Sequence, residues 1–421
     1  AQRHAQVDLE EEGRALKRFL QAHATHPDWR FALAMVQPQL EAQSLGGGGR
    51  PVCEPTLGWL YLTDHYASEA EALLAELQRH WPGVAWVGAV GVGVAASGVE
   101  YFDEPALSVM LAELSTADFR VFSGARPLGP VGRFAAHTAQ VHADPATPDL
   151  AELVADMAER TATGYLFGGL AAARTRTLHI ADGVLQGGLS GVAFSSEVAL
   201  VSRVTQGCQP VGRTRRISAS TDNVVTALDG EPALDCLLAD LGAAGREPRE
   251  VLPQLRQTLV GLTDPAERSD GSRSAQRGAF GPDTRVRHLV GLDPARRGVV
   301  VSDLAPEGLE LAFCQRHAEA ARRDLVRICA EIREELAPEE LPLSATLPAG
   351  GAGEAPESGI AGAVYVSCSG RGGPHFGAPS AELQIVRRAL GDVPLAGFFA
   401  GGEIARHHVY GYTGVLTVFR A

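Results

Sequence analysis

Residues 70–94, AEALLAELQRHWPGVAWVGAVGVGV, and residues 381–404, AELQIVRRALGDVPLAGFFAGGEI, repeat one plan. In the first, Ala72, Leu73, Leu74 and Leu77 recur at helical spacing, and Pro82-Gly83 stops the helix. A continuous apolar run over 84–94 then reads as a buried strand with a glycine-rich exit. In the second, Ser380 opens a helix through Leu390, Gly391 follows it, and residues 394–399 form a strand leaving through Gly401-Gly402. Setting Gly88 against Gly397 places Val94 against Glu403. The pair reads as a degenerate internal duplication and predicts a mixed α/β (α+β) fold. Its two related halves would have mixed sheets and glycine-ended buried strands.

Outward from this pair, residues 7–23 carry Leu9, Leu16, Phe19 and Leu20 at helical spacing and read as a peripheral helix. Helices are expected over 29–43 and 150–162, and a capping box at Ser68 with Glu71 before the 70s helix. Residues 107–122 repeat the helix–strand pattern weakly. Runs at 164–169, 176–180, 188–194 and 197–206 lie close together between glycine turns and predict an antiparallel meander. Residues 232–241 and 249–262 read as helical, 287–293 and 298–302 as strands, and 309–336 as one long helix. The Ser/Arg/Gly-rich 264–283 and the Pro/Ala/Gly-rich 341–359 read as flexible insertions. Strands are expected at 361–368 and 412–419.

The chain has 421 residues, 50 acidic against 37 basic, for a formal charge of −13. That balance disfavours binding to nucleic acid through phosphates and docking on an anionic membrane. Lys17 is the sole lysine, which excludes a Schiff base or a P-loop lysine. Arginine at nearly every basic position suggests a GC-rich bacterial gene. The six cysteines form no C-x-x-C pair and read as reduced, buried thiols without a structural metal. Charges at 10–12 and 14–18 interrupt any leader-like apolar run, and the longest uncharged stretch, 81–99, holds Pro82 and five glycines. The expectation is a soluble cytoplasmic protein.

Several segments together resemble the FIST family, a bacterial sensory module. They are TGYLFGGLAAAR (163–174), GGLSGVAF (187–194), VTQGCQPVG (204–212), LDGEPAL (228–234), VSCSGRGGPHFG (366–377), AEL (381–383) and GFFAGGEI (397–404). The resemblance implies a FIST N-terminal domain over 28–229 and a FIST C-terminal domain over 230–421, after a helical extension over 1–27. It implies binding of a small, amino-acid-like ligand and relay to a signalling protein such as a histidine kinase. A branch of the family binds haem and senses nitric oxide, which leaves a haem-based gas sensor as an alternative to a cofactor-free module. Where the family commonly carries a polar, acidic cluster after the first glycine-ended strand, this chain has Gly88 to Val94, without polar side chains.

The expected site is therefore in the second copy. Glycines after the 361–368 strand let backbone N–H groups approach an anion, and Arg371 can grip a carboxylate. Glu403 can receive an ammonium group. Cys368, His375 and Phe398 complete the expected ligand-binding set. An enzyme using Cys368, Arg371 and Glu403 is a third reading, although no Asn or Asp orienter accompanies His375. His407 and His408 are adjacent, and neighbours on a strand face opposite ways, so they are not expected to share a metal. The glycines 88, 91, 93 and 98 lack dinucleotide-fingerprint spacing, and Ser190 does not fit G-x-S-x-G.

Overall fold

The computed structural model describes residues 18–45, 53–129, 134–246, 248–267, 280–337 and 359–421. The two expected insertions fall largely outside these residues. The fold is mixed α+β. Its principal body is three six-stranded sheets, and each is built on one copy of a repeated unit. A unit holds an edge strand, a parallel strand pair joined by a helix, a short hairpin and a returning strand. The parallel pairs are Leu57–Thr63 with Ala85–Gly91, Thr138–Ala143 with Leu166–Leu170, and Ile360–Cys368 with Leu395–Ala400. Their connecting helices are Ala70–His80, Leu150–Glu159 and Ala381–Leu390.

The duplication read from the sequence is thus two of three copies. Gly88, Gly168 and Gly397 occupy one structural position. A Cβ there would lie 1.8, 1.9 and 1.7 Å from the carbonyl oxygens of Leu60, Val141 and Tyr365 on the neighbouring parallel strand. Only glycine permits that approach.

Each unit gives its hairpin away. Gly93–Ala96 with Val99–Phe102 joins the third sheet, His179–Ala181 with Val184–Leu185 joins the first, and Glu403–Arg406 with His408–Tyr410 joins the second. The apolar run 84–94 therefore forms two strands in two sheets, not one. The expected antiparallel meander over 164–206 is likewise distributed over all three sheets. The boundary expected at 229/230 falls between Val224–Leu228 and Glu231–Pro232, which pair with each other.

One face of every sheet contributes to a shared interior containing Trp59, Tyr61, Phe167, Phe194, Val366, Phe398 and Phe419. A polar seam crosses it. Trp59 Nε1 donates to Gln140 Oε1 at 2.7 Å, Gln140 Nε2 donates to Tyr61 Oη at 2.7 Å, and Tyr61 Oη lies 3.1 Å from His142 Nε2. Burial holds the His142 imidazole neutral, with its pKa down at about 3. The outer faces are covered by helices. Trp29–Ser44 and Ala70–His80 cover the first sheet, and Ala318–Leu336 and Ala381–Leu390 the third.

Between the strand Leu200–Gln206 and the helix Ala318–Leu336, the third unit carries a barrel. Its strands run Glu310–Arg316, Arg215–Thr221, Val224–Leu228, Gly298–Val301, Thr284–Asp293 and Leu259–Thr263, and the last pairs with the first to close the ring. Closure leaves no free edge among these strands. Ile217, Val225, Val299 and Phe313 belong to its own core.

Several local readings are corrected. Phe19–Thr25 is a strand, not the end of an N-terminal helix; it pairs with Ala106–Ala112, and Phe19 packs on Trp59 and Phe419. Residues 107–122 are strands without a helix. Residues 259–262 and 310–316, read as helical, are barrel strands paired with each other. The long helix begins only at Ala318, where His317 accepts from the Ala320 N–H. In each case a partner strand overrides a spacing that also fits a helix. Ser68 lies inside the short helical turn Asp64–Glu69 and makes no cap. Among the described residues, no helix is long and apolar enough to cross a membrane.

Candidate functional site

Where the strand Ile360–Cys368 ends, the chain turns through Ser369 to Gly373, and the Arg371 N–H donates to the Cys368 carbonyl at 2.8 Å. This turn carries Arg371 inward. Its side chain is 1% exposed, and Nε donates to Glu382 Oε1 at 2.9 Å. Glu382 is fully buried in the first turn of the helix Ala381–Leu390. It also accepts from Tyr365 Oη at 2.6 Å and from Ser367 Oγ at 3.1 Å. Strand alternation explains the set: Tyr365 and Ser367 point to the helix side, Val366 and Cys368 to the interior. The guanidinium lies 5.2 Å above the Phe376 ring, and Nη1 has no hydrogen-bond partner among the described residues. Nη1 reaches Gly207, where a Cβ would come within 3.2 Å. Gly207 is required first by the Tyr412 carbonyl oxygen, which would lie 2.2 Å from such a Cβ.

Glu403 begins the donated hairpin and is 0% exposed. Its Oε2 accepts from Thr413 Oγ1 at 2.7 Å and from the Thr413 N–H at 3.1 Å, while Oε1 has no hydrogen-bond partner among the described residues. Burial pushes its carboxyl up to about 8; Thr413, Arg371 and Cys368 oppose this only in part. Burial likewise pushes the Cys368 thiol up to about 12, although the Gly370 and Tyr412 N–H groups favour the thiolate. A third carboxyl, Glu100, comes from the first unit's hairpin. Burial and the neighbouring Glu382 push it up to about 7.

Of the expected residues, the structure brings Cys368, Arg371 and Glu403 into one electrostatic neighbourhood. His375 is half-buried beside them, its pKa down at about 4 through burial and the nearby Arg316 and Arg371. Phe398 does not wall this site. It points into the shared interior and stacks on Tyr61 at 5.1 Å, whereas Phe399 and Phe102 meet Gly372. Arg371 and Glu403, although each lies beside a glycine turn, are both buried. Glu382, Tyr365, Ser367, Thr413 and Glu100 were not anticipated. Ser367 and Tyr365 share strand parity, and Glu382 stands beside the apolar Leu383, but nothing local marks a buried ion pair. An open groove of about 520 Å³ on the barrel, lined by Arg216, Asp264, Pro306 and Glu307 among others, shares no residue with this cluster.

The cluster is roofed from the barrel. Arg316, the last residue of its strand, lies 5.6 Å over the Tyr412 ring and donates to the Gly370 carbonyl. Arg322, on the helix that follows, donates to the Phe376 carbonyl. The roof, the barrel strand and the helix Ala318–Leu336 are thus one continuous piece of chain.

The residue just after the repeated glycine of each sheet, Gly169, Ala89 or Phe398, relates the three copies through its partner on the donated hairpin. Glu403 pairs with Gly169, His179 with Ala89 and Val94 with Phe398. The position is acidic in one copy, and in another it is His179, held by Ser190 Oγ at 2.6 Å. In the copy where the sequence lacks polar groups it is buried valine.

Residues 56–231 match the FIST N domain and residues 233–406 the FIST C domain. An uncharacterized protein of Mycobacterium tuberculosis is 29% identical over 94% of this chain and 98% of its own length. An uncharacterized protein of Mycobacterium bovis is 31% identical over 94% of this chain and 97% of its own. The chain belongs to the FIST family.

Proposed function

We propose that the protein is a non-catalytic sensory module that binds a small ligand carrying both an ammonium and a carboxylate, such as an amino acid, at the Arg371–Glu403 cluster. FIST domains are small-ligand sensory modules. The observation that carries the reading is a pair of unsatisfied buried groups of complementary chemistry, Arg371 Nη1 and Glu403 Oε1. Buried polar atoms without partners are costly, so a ligand that satisfies both recovers free energy on binding. Arg371 offers its free N–H to a carboxylate, while the Glu382 ion pair fixes its position. Glu403 receives the ammonium, and its proton leaves as the cation enters, because an adjacent positive charge stabilises the carboxylate.

The thiol of Cys368, held protonated far above neutral pH, makes a poor nucleophile and favours binding over covalent catalysis. Entry requires Arg316 and Tyr412 to move. Because Arg316 adjoins the helix Ala318–Leu336, occupancy would be relayed along that helix to a signalling protein, for which a histidine kinase is a candidate. No haem takes part in this reading, and the protein acts in the cytoplasm. The test is a melting-temperature screen of the full chain against L-amino acids and small monocarboxylates, with an absorption spectrum of the purified protein. A rise in melting temperature with a zwitterion, larger than with the matching monocarboxylate, supports the reading. A Soret band, or no shift with any compound, contradicts it.

A further inference from the structure

The adjacent histidines do not face opposite ways. His407 lies at the tip of the donated hairpin, where Ala405 pairs with His408 and Arg406 adopts a left-handed φ of 56°. The tight turn folds His407 back onto its neighbour, so that the ring centroids are 3.9 Å apart. Both rings meet Glu267, which ends the short turn Pro265–Glu267 after a barrel strand. His408 Nε2 is 2.8 Å from Glu267 Oε2, and His407 Nε2 is 3.5 Å from Oε1. One ligand atom from each of the three residues falls within 4.8 Å of the others. The hairpin is anchored on its barrel side by the Arg406–Asp283 ion pair.

We propose that Glu267, His407 and His408 form a binding site for a divalent first-row transition ion that clips the barrel to the donated hairpin. Two imidazole nitrogens and one carboxylate oxygen suit ions such as zinc, and an all-oxygen preference disfavours magnesium and calcium. The side chains are 40, 42 and 16% exposed, open enough for an ion to enter while leaving coordination positions for water. Arg285 works against the ion. Its Nη1 lies 3.3 Å from His408 Nδ1, so its N–H requires a lone pair there and leaves the proton on Nε2. Metal binding through Nε2 needs the other tautomer, and Arg285 must withdraw.

The experiment is calorimetric titration of the chelator-treated full-length chain with zinc chloride, and with magnesium chloride in parallel. One zinc per chain is expected at this site, with no magnesium heat. His408→Gln and Glu267→Gln should each weaken zinc binding by about tenfold or more, while their metal-free melting temperatures stay at the wild-type value. Arg285→Ala should bind zinc more tightly than wild type, an effect no purely structural hydrogen bond would give. Absence of zinc binding, binding unchanged in both ligand variants, or weaker binding in Arg285→Ala would overturn the proposal. The outcome is independent of the Arg371–Glu403 reading, because no residue is shared.

Discussion

Replacing Glu403 by glutamine removes a titrating proton from a fully buried position while keeping the side chain's shape and its acceptor for Thr413. In the folded protein this carboxyl titrates near about 8, against 4.5 ordinarily. A carboxyl with a raised pKa stabilises the fold fully below its unfolded value, and that contribution is lost as pH rises toward the folded value. The loss is about 1.4 kcal/mol per pH unit across the window. Between about pH 5.5 and pH 7.5 the wild type should therefore lose roughly 3 kcal/mol relative to Glu403→Gln. Glu100 shifts in the same direction but is common to both proteins and cancels in the difference. Urea unfolding of both proteins at several pH values measures this slope, and any constant offset from the amide does not enter it. Parallel stability curves across that window would refute the buried, proton-retaining Glu403.

Arg371→Ala strands the Glu382 carboxylate in an apolar setting and should cost about 3–5 kcal/mol in urea unfolding. Recovery of most of that loss in Arg371→Met combined with Glu382→Met would confirm an ion pair not required for folding. Cys368 and the other five cysteines are buried free thiols, so Ellman's reagent at about pH 8 should label the native chain far more slowly than the urea-unfolded one. A single fast-reacting thiol, lost in Cys368→Ser, would instead favour the enzymatic reading. Gly168→Ala drives a methyl group into the Val141 carbonyl and should destabilise by at least about 2 kcal/mol; a smaller loss by thermal or urea unfolding would contradict the three-copy equivalence.

The sequence carried the three connecting helices and the glycine-bearing strand after each, because amphipathic runs next to apolar strands are distinctive; the parallel pairing and the strand Thr138–Ala143 were not read. It showed two copies because Gly88 to Val94 and Gly397 to Glu403 have the same spacing. The third was hidden because Gly168 and His179 are farther apart and lack a matching glycine exit. The exchange of hairpins could not be read, since a strand that continues into a neighbouring sheet keeps the same apolar pattern. The barrel blurred the third unit further, turning residues 309–336 into an apparent single helix. At the site, Arg371 and Glu403 were found through glycine exits and family motifs. Their burial was not foreseen, because a charge beside a glycine turn looks exposed until its partner, Glu382 on another element, is known. Parity along Leu395–Ala400 could have separated Phe398 from Phe399 had the inward face been fixed.

The central claim is that Arg371 and Glu403 together hold a zwitterionic ligand. Calorimetric titration of the wild type and Glu403→Gln with the amino acid giving the largest melting shift tests it most directly, measured in buffers of different ionisation heat. The account predicts wild-type binding with net proton release below about pH 8, and in the variant at least about tenfold weaker binding without that release. Equal affinity in both proteins, or wild-type binding without proton release, would contradict it.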